Sequence, residues 1–133
     1  MAREIVELEA VVCSGLGEGR VFTRLDWAEQ EFRAKLGYSP YPGTFNLQLR
    51  GAGWPEMRTR WLGGQGAVIV PPAGFCAARC YPVQLEGRVT GAAVFPDVPG
   101  YPPDKVEVIA PVSLRETLGV ADGDVVKLRI EIE

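Results

Sequence analysis

Histidine is absent from this 133-residue sequence. That removes the Ser-His-Asp triad, the Cys-His dyad, histidine-ligated zinc and the usual general base. Cysteine is scarce as well. Cys13, Cys76 and Cys80 are too few for a disulfide framework and suit a reducing, cytoplasmic setting. There is no basic excess, with 14 Lys and Arg against 17 Asp and Glu and a net charge of −3. A protein whose main task is to grip nucleic acid normally carries one, so no nucleic-acid partner is expected, although a local basic site for a small anion stays open. No run approaches the ~20 apolar residues of a membrane span. The start, Met-Ala-Arg-Glu, lacks a signal-peptide core. No membrane partner is expected either.

What is present is an ordinary globular composition, 47% hydrophobic and 23% charged. The length predicts one domain, residues 1–133, able to bury its own core without a staple. Residues 4–13 alternate and are rich in β-branched side chains, which predicts a strand. Val21 to Leu25 resumes a strand-like pattern. Asp26 is placed to cap a helix over Trp27–Leu36, with Trp27, Ala28, Phe32 and Leu36 on its buried face and Gly37 as its C-terminal stop. Thr44–Leu49 alternates again after the Pro40–Gly43 turn. Residues 51–66, with five glycines, read as a long connection holding a short strand near Thr59–Leu62. Further strands are expected at Ala67–Val70, Phe75–Leu85, Gly87–Phe95, Lys105–Ala110 and Val125–Ile132. Four prolines mark residues 96–104 as a loop. A short helix should run from Pro111 to Leu118, with Ser113 and Glu116 spaced as a cap. Connections this short cannot host βαβ crossovers. The expected fold is mainly β: a small closed barrel of about seven strands, mainly antiparallel, with two short helices.

Several short motifs carry possible chemistry. Gly15-Leu16-Gly17-Glu18-Gly19-Arg20 alternates glycines, so its backbone can approach a ligand closely and aim N–H groups at an anion, and Arg20 can clamp a phosphate. It has neither the spacing of a dinucleotide fingerprint nor the Gly-Lys-Ser/Thr of a Walker loop, and a glycine-rich hairpin turn is the plain alternative. Thr44 and Asn46 alternate by two and point to one strand face. A hydroxyl and an amide oxygen suit Mg²⁺, which is commonly held by few protein groups plus phosphates and waters. Polar residues at a strand start are the alternative. Glu107 sits in the apolar run Lys105–Ile109, where it is either a hydroxyl acceptor or a solvent-facing carboxylate. Ser113-Leu114-Arg115 opens a helix and either meets a phosphate or is an ordinary cap. Cys76 and Cys80 lack the further ligands zinc needs and read as buried thiols. Asp122-Gly123-Asp124 lacks the rest of a calcium loop and reads as a turn. Trp27, Trp54 and Trp61 read as core or loop anchors.

In this order the pieces resemble the archaeal-type CTP-dependent riboflavin kinase family, over about Ile5 to Ile132. The matching residues are 14–20, then Leu36-Gly37-Tyr38-Ser39-Pro40-Tyr41-Pro42-Gly43-Thr44-Phe45-Asn46-Leu47, Val106–Pro111, Leu114-Arg115-Glu116 and Asp122–Val126. The resemblance implies a cradle-loop β-barrel that moves the γ-phosphate of CTP to the 5′-hydroxyl of riboflavin, giving FMN and CDP. It implies that Gly15, Leu16, Gly17, Glu18, Gly19 and Arg20 wrap the nucleotide phosphates. Val112, Ser113, Leu114 and Arg115 would complete the nucleotide site, Thr44 and Asn46 would hold Mg²⁺, and Glu107 would lie at the attacking hydroxyl. Two departures stand out. Phe45 replaces a usual leucine. Pro99 stands where the family tends to carry a flavin-contacting threonine, and a stacking Tyr101 is the expected substitute. The Pro99 departure keeps open a CTP-dependent kinase of another small hydroxyl substrate. From a different class comes a non-catalytic nucleotide- or ligand-binding barrel.

Overall fold

The computed structural model describes residues 4–15, 23, 25–63 and 66–132. Among them, seven strands and three helices alternate along the chain. These are β1 (Glu4–Cys13), α1 (Asp26–Leu36), β2 (Phe45–Arg50), α2 (Trp54–Leu62), β3 (Ala67–Ile69), β4 (Ala78–Leu85), β5 (Val89–Pro96), β6 (Lys105–Ile109), α3 (Leu114–Leu118) and β7 (Val125–Ile132). The strands form one sheet in the order β3-β4-β5-β6-β2-β1-β7, closed by a further β4–β7 pairing. Every pairing is antiparallel. One edge of β4 is divided: Ala78–Cys80 pairs with β3, whereas Gln84 and Leu85 pair with β7. Six strands therefore close a barrel and β3 extends it as an extra strand, the mainly β closed architecture that the alternating pattern predicts.

Strand alternation sorts the side chains between two cores. Leu8, Ala10 and Val12 of β1, Leu47 and Leu49 of β2, Val106 and Val108 of β6, and Val126, Leu128 and Ile130 of β7 fill the barrel interior. A second cluster lies outside the barrel: Ile69, Ala78, Cys80, Ala92, Val94 and Ile109, covered by Ala28 and Phe32 of α1. Trp27 and Leu36 pack at its margin, which completes the helix face read from the sequence. Burial pushes the Cys80 thiol up to about 12 and keeps it unreactive.

Some expectations are corrected. Three helices are described rather than two. The additional one, α2, occupies the segment read as a connection with a strand at Thr59–Leu62. Pro55 in its first turn, Glu56 at its start and Arg60 at its end suit a helix. Trp54, Met57 and Trp61 then share one face, and Trp61 is only 2% exposed against the barrel core. The pattern sits between Gly53 and Gly63, and those glycines stop the helix rather than forbid it. Of the strand-like Val21–Leu25, Thr23 is helical and Leu25 lies in a bend; the other three residues lie outside the described residues. Asp26 is the first helical residue of α1 and not its cap, since Leu25 occupies that position without a side-chain bond. Gly37 does end α1, at φ 85°, in the left-handed region that favours glycine. Cys76 is exposed, because β4 begins only at Ala78 and Cys76 lies in the preceding irregular segment. No helix among the described residues is long and apolar enough to cross a membrane.

Candidate functional site

The register of the sheet brings distant residues into one row. Cys13 of β1 pairs with Asn46 of β2, Asn46 with Glu107 of β6, and Glu107 with Val94 of β5. Directly paired residues project to the same side. Val94 belongs to the outer cluster, so Asn46 and Glu107 also face outward from the barrel.

Glu107 is held at both oxygens. The Thr44 hydroxyl donates to Oε1 at 3.0 Å, and the Tyr101 hydroxyl donates to Oε2 at 2.6 Å. A carboxylate has about four lone-pair sites, so two remain for a ligand. Burial first, and then the bond to Glu107, push the Tyr101 hydroxyl far above its usual value, so it stays a donor. Asn46 is buried at 8% exposure. Its Nδ2 donates to the Thr44 carbonyl at 3.0 Å, which fixes the amide and leaves Oδ1 buried without a partner. Gly15 lies against this amide. A Cβ there would fall 2.7 Å from Asn46 Nδ2 and 2.9 Å from Oδ1, so a bulkier residue would displace the amide. The turn before Thr44 is anchored as well, because the Gly43 N–H donates to the Thr23 hydroxyl at 2.9 Å.

A second group adjoins the end of β1. Arg115 donates from Nη2 to the Cys13 carbonyl at 3.2 Å and to Asp122 Oδ1 at 2.6 Å. The Ser14 hydroxyl donates to the other oxygen of Asp122. The Ser14 hydroxyl first, and Arg115 second, hold the Asp122 carboxyl below its ordinary value. The two groups meet at residues 13–15, at the end of β1.

The CTP-dependent riboflavin kinase family profile, described as a domain of unknown function, DUF120, matches residues 12–130. The chain belongs to this family. It is 40% identical over 124 residues to a riboflavin kinase of Methanocella arvoryzae, covering 90% of this chain and 55% of that protein. It is also 40% identical over 133 residues to a riboflavin kinase of Methanococcoides burtonii, covering 95% of this chain and 57% of that protein. The identity to a riboflavin kinase of Pyrobaculum arsenaticum is 36% over 132 residues, covering 94% and 60% of the two chains. The chain thus spans little more than half the length of these curated relatives.

The residues singled out from the sequence of this family member fall into distinct places. Thr44, Asn46, Glu107 and Tyr101 come together, and Gly15 touches the same group. Leu16, Gly17, Glu18, Gly19 and Arg20 lie outside the described residues. Arg115 reaches the Cys13 carbonyl at the end of β1. Ser113 caps α3, accepting from the Glu116 N–H at 3.4 Å. Leu114 is buried in the barrel core, so only its backbone is available to a ligand, and Val112 is exposed. Pro99 is exposed on the β5–β6 loop, and it is Tyr101 from that loop that enters the Glu107 group. Asp122 and Thr23 were not legible as site residues. Asp122 reads as a plain turn, and its partner Ser14 is 108 positions away. Thr23 falls in a segment whose pattern resembles strand.

Proposed function

We propose that this chain is a CTP-dependent riboflavin kinase, a phosphotransferase that forms FMN and CDP from riboflavin and CTP. Family membership supports the reaction class. The observation that carries the site is the cluster on β2 and β6: a carboxylate, a hydroxyl and an unpartnered buried amide oxygen beside a backbone approach that only glycine allows.

Thr44 and Asn46 are the residues that would hold Mg²⁺. The fit is chemical. The Asn46 Oδ1 lacks a hydrogen-bond donor, and the Thr44 hydroxyl spends its proton on Glu107, leaving oxygen lone pairs for a cation. Among the described residues no cluster of three His, Cys, Asp or Glu competes for the metal role. Bound Mg²⁺ would neutralise charge on the transferring phosphoryl group.

The Gly15–Arg20 segment, with the Val112–Arg115 helix start, takes the nucleotide phosphates. Arg115 and backbone N–H groups offset their charge, so no Walker lysine is needed. Glu107 accepts a hydrogen bond from the acceptor hydroxyl through a remaining lone pair. As that oxygen bonds to the γ-phosphorus, the bond to the β,γ-bridging oxygen breaks. Its electron pair leaves with CDP, and the hydroxyl proton passes to Glu107. A loose phosphoryl-transfer transition state leans more on positioning than on a strong base.

Glu107→Gln tests this. General-base help is typically worth 10²–10⁴-fold, and a loose transition state places the expected loss of kcat at the lower end, at least roughly tenfold. Nucleotide binding should stay nearly unchanged, because Gln keeps the size and one acceptor oxygen. Unchanged kcat would make Glu107 a surface carboxylate. Lost CTP affinity would place it in the wrong half of the site. The exposed, hydroxyl-free Pro99 favours one second reading, a kinase of another small hydroxyl compound. Its signature is CTP turnover with an acceptor other than riboflavin.

A further inference from the structure

The loop between β5 and β6 carries a turn with a definite chemical product. Tyr101 N–H donates to the Val98 carbonyl at 3.2 Å, closing a four-residue turn. Pro99 is its second residue and Gly100, at φ 80°, its third. Proline followed by a left-handed glycine is the pattern of a type II turn, with proline fixing the first central φ and glycine accepting the positive one. The turn is followed at once by Pro102, whose carbonyl accepts from Lys105 N–H at 3.2 Å as β6 begins. Tyr101 is therefore held between two closed turns in a loop stiffened by proline. The Lys105 ammonium lies 5.5 Å from its ring centroid and confines the ring from one side. The hydroxyl ends 2.6 Å from Glu107 Oε2.

We propose that Tyr101 is the positioning residue for Glu107, delivered by the Pro99–Gly100 turn, and that it acts on the reaction through that carboxylate and not by touching the acceptor. The inference rests on the functional reading given above. Glu107 alone has a flexible side chain. With Thr44 donating to one oxygen and Tyr101 to the other, both ends of the carboxylate are fixed. The Tyr101 hydroxyl is suited to a permanent donor, since burial and the adjacent carboxylate both oppose its ionisation. A ring stacked on the acceptor would make a different demand: the aromatic face and not the hydroxyl would matter.

The two roles separate in a double-mutant cycle of Tyr101→Phe and Glu107→Gln, with kcat, the acceptor KM and CTP affinity measured for all four proteins. Phe keeps the ring and the packing, so the variant retains the loop. The expected result is a fall in kcat of about tenfold for Tyr101→Phe, the scale of one lost hydrogen bond to a charged group, with acceptor KM and CTP affinity within about twofold of wild type. In the Glu107→Gln background the same substitution should cost almost nothing further, because its route of action is gone. A raised KM with unchanged kcat overturns the proposal and makes Tyr101 an acceptor contact. Unchanged kinetics also overturn it, as do losses that simply multiply in the double variant. Failure of the functional reading looks different: the wild type would form no FMN, or Glu107→Gln alone would be fully active.

Discussion

Asn46 places a buried acceptor oxygen on the outer barrel face with no donor to meet it. A buried polar atom without a partner is costly, and such cost is retained where a ligand satisfies it. If that ligand is a cation, Asn46→Ala should reduce turnover by about a hundredfold or more, since several kcal/mol of charge stabilisation are at stake. The Mg²⁺ concentration for half-maximal activity should rise as well. The fold should survive, because among the described residues the side chain bonds only the neighbouring Thr44 carbonyl. A magnesium titration of activity, with a thermal melt, checks both. Near wild-type activity would remove the metal role, and an unfolded variant would make Asn46 structural. At this scale the sequence was informative about identity and silent about geometry. The i, i+2 spacing of Thr44 and Asn46 is a local property and is readable. The hydroxyl bond from Thr44 to Glu107 spans 63 positions and depends on β2–β6 register. The Tyr101 hydroxyl bond depends on a turn whose exit direction no periodicity encodes.

Two ties between elements are made by side chains that read as ordinary surface residues. The first tie joins α3, the β7 turn and the end of β1 through Asp122, Arg115 and Ser14. The folded Asp122 value is lowered, so the stability it contributes is present above its ordinary value and is lost as pH falls through the lowered one. Asp122→Asn should therefore melt below wild type at pH 7. The gap should persist down to about pH 4 and close at lower pH, as the wild-type carboxyl protonates. Melting curves across that range check it, and a gap independent of pH would contradict the assignment. The second tie guards β3. Lys35 of α1 donates to the Val68 carbonyl at 2.8 Å, and Glu31 accepts from the Val70 N–H at 2.6 Å. The pair, 3.6 Å apart, thus occupies backbone groups of the short edge strand β3 and of the residue after it, where Val68 and Val70 are exposed. Unpaired edges template association. Replacing both Glu31 and Lys35 with Ala should promote self-association, seen as a concentration-dependent rise in sedimentation coefficient, and an unchanged coefficient would contradict it. Most element types were legible here, since β1 alternates over residues 7–12 and β7 over residues 125–131. α2 was not, because a nine-residue helix bounded by glycines offers only a short core-facing set, Trp54, Met57, Trp61 and Leu62.

Among the described residues the chain is a closed antiparallel barrel with a packed interior and a second core under α1, and the proposed site lies on its outer wall. That division explains why fold and family could be read from sequence while the site could be read only in part. Interior positions repeat with period two and announce themselves. Outer-wall polar positions share that period with any solvent-facing residue, and only closure of the barrel collects residues 13–15, 44–46, 101, 107, 115 and 122 at one region. We propose that this region transfers a phosphoryl group from CTP to riboflavin. The direct measurement incubates the chain with riboflavin, Mg²⁺ and each of CTP, ATP, GTP and UTP in turn, and resolves FMN by chromatography. That assignment predicts FMN with CTP, little with ATP, and none when Mg²⁺ is withheld. Equal FMN from ATP, or none from any triphosphate, would contradict it.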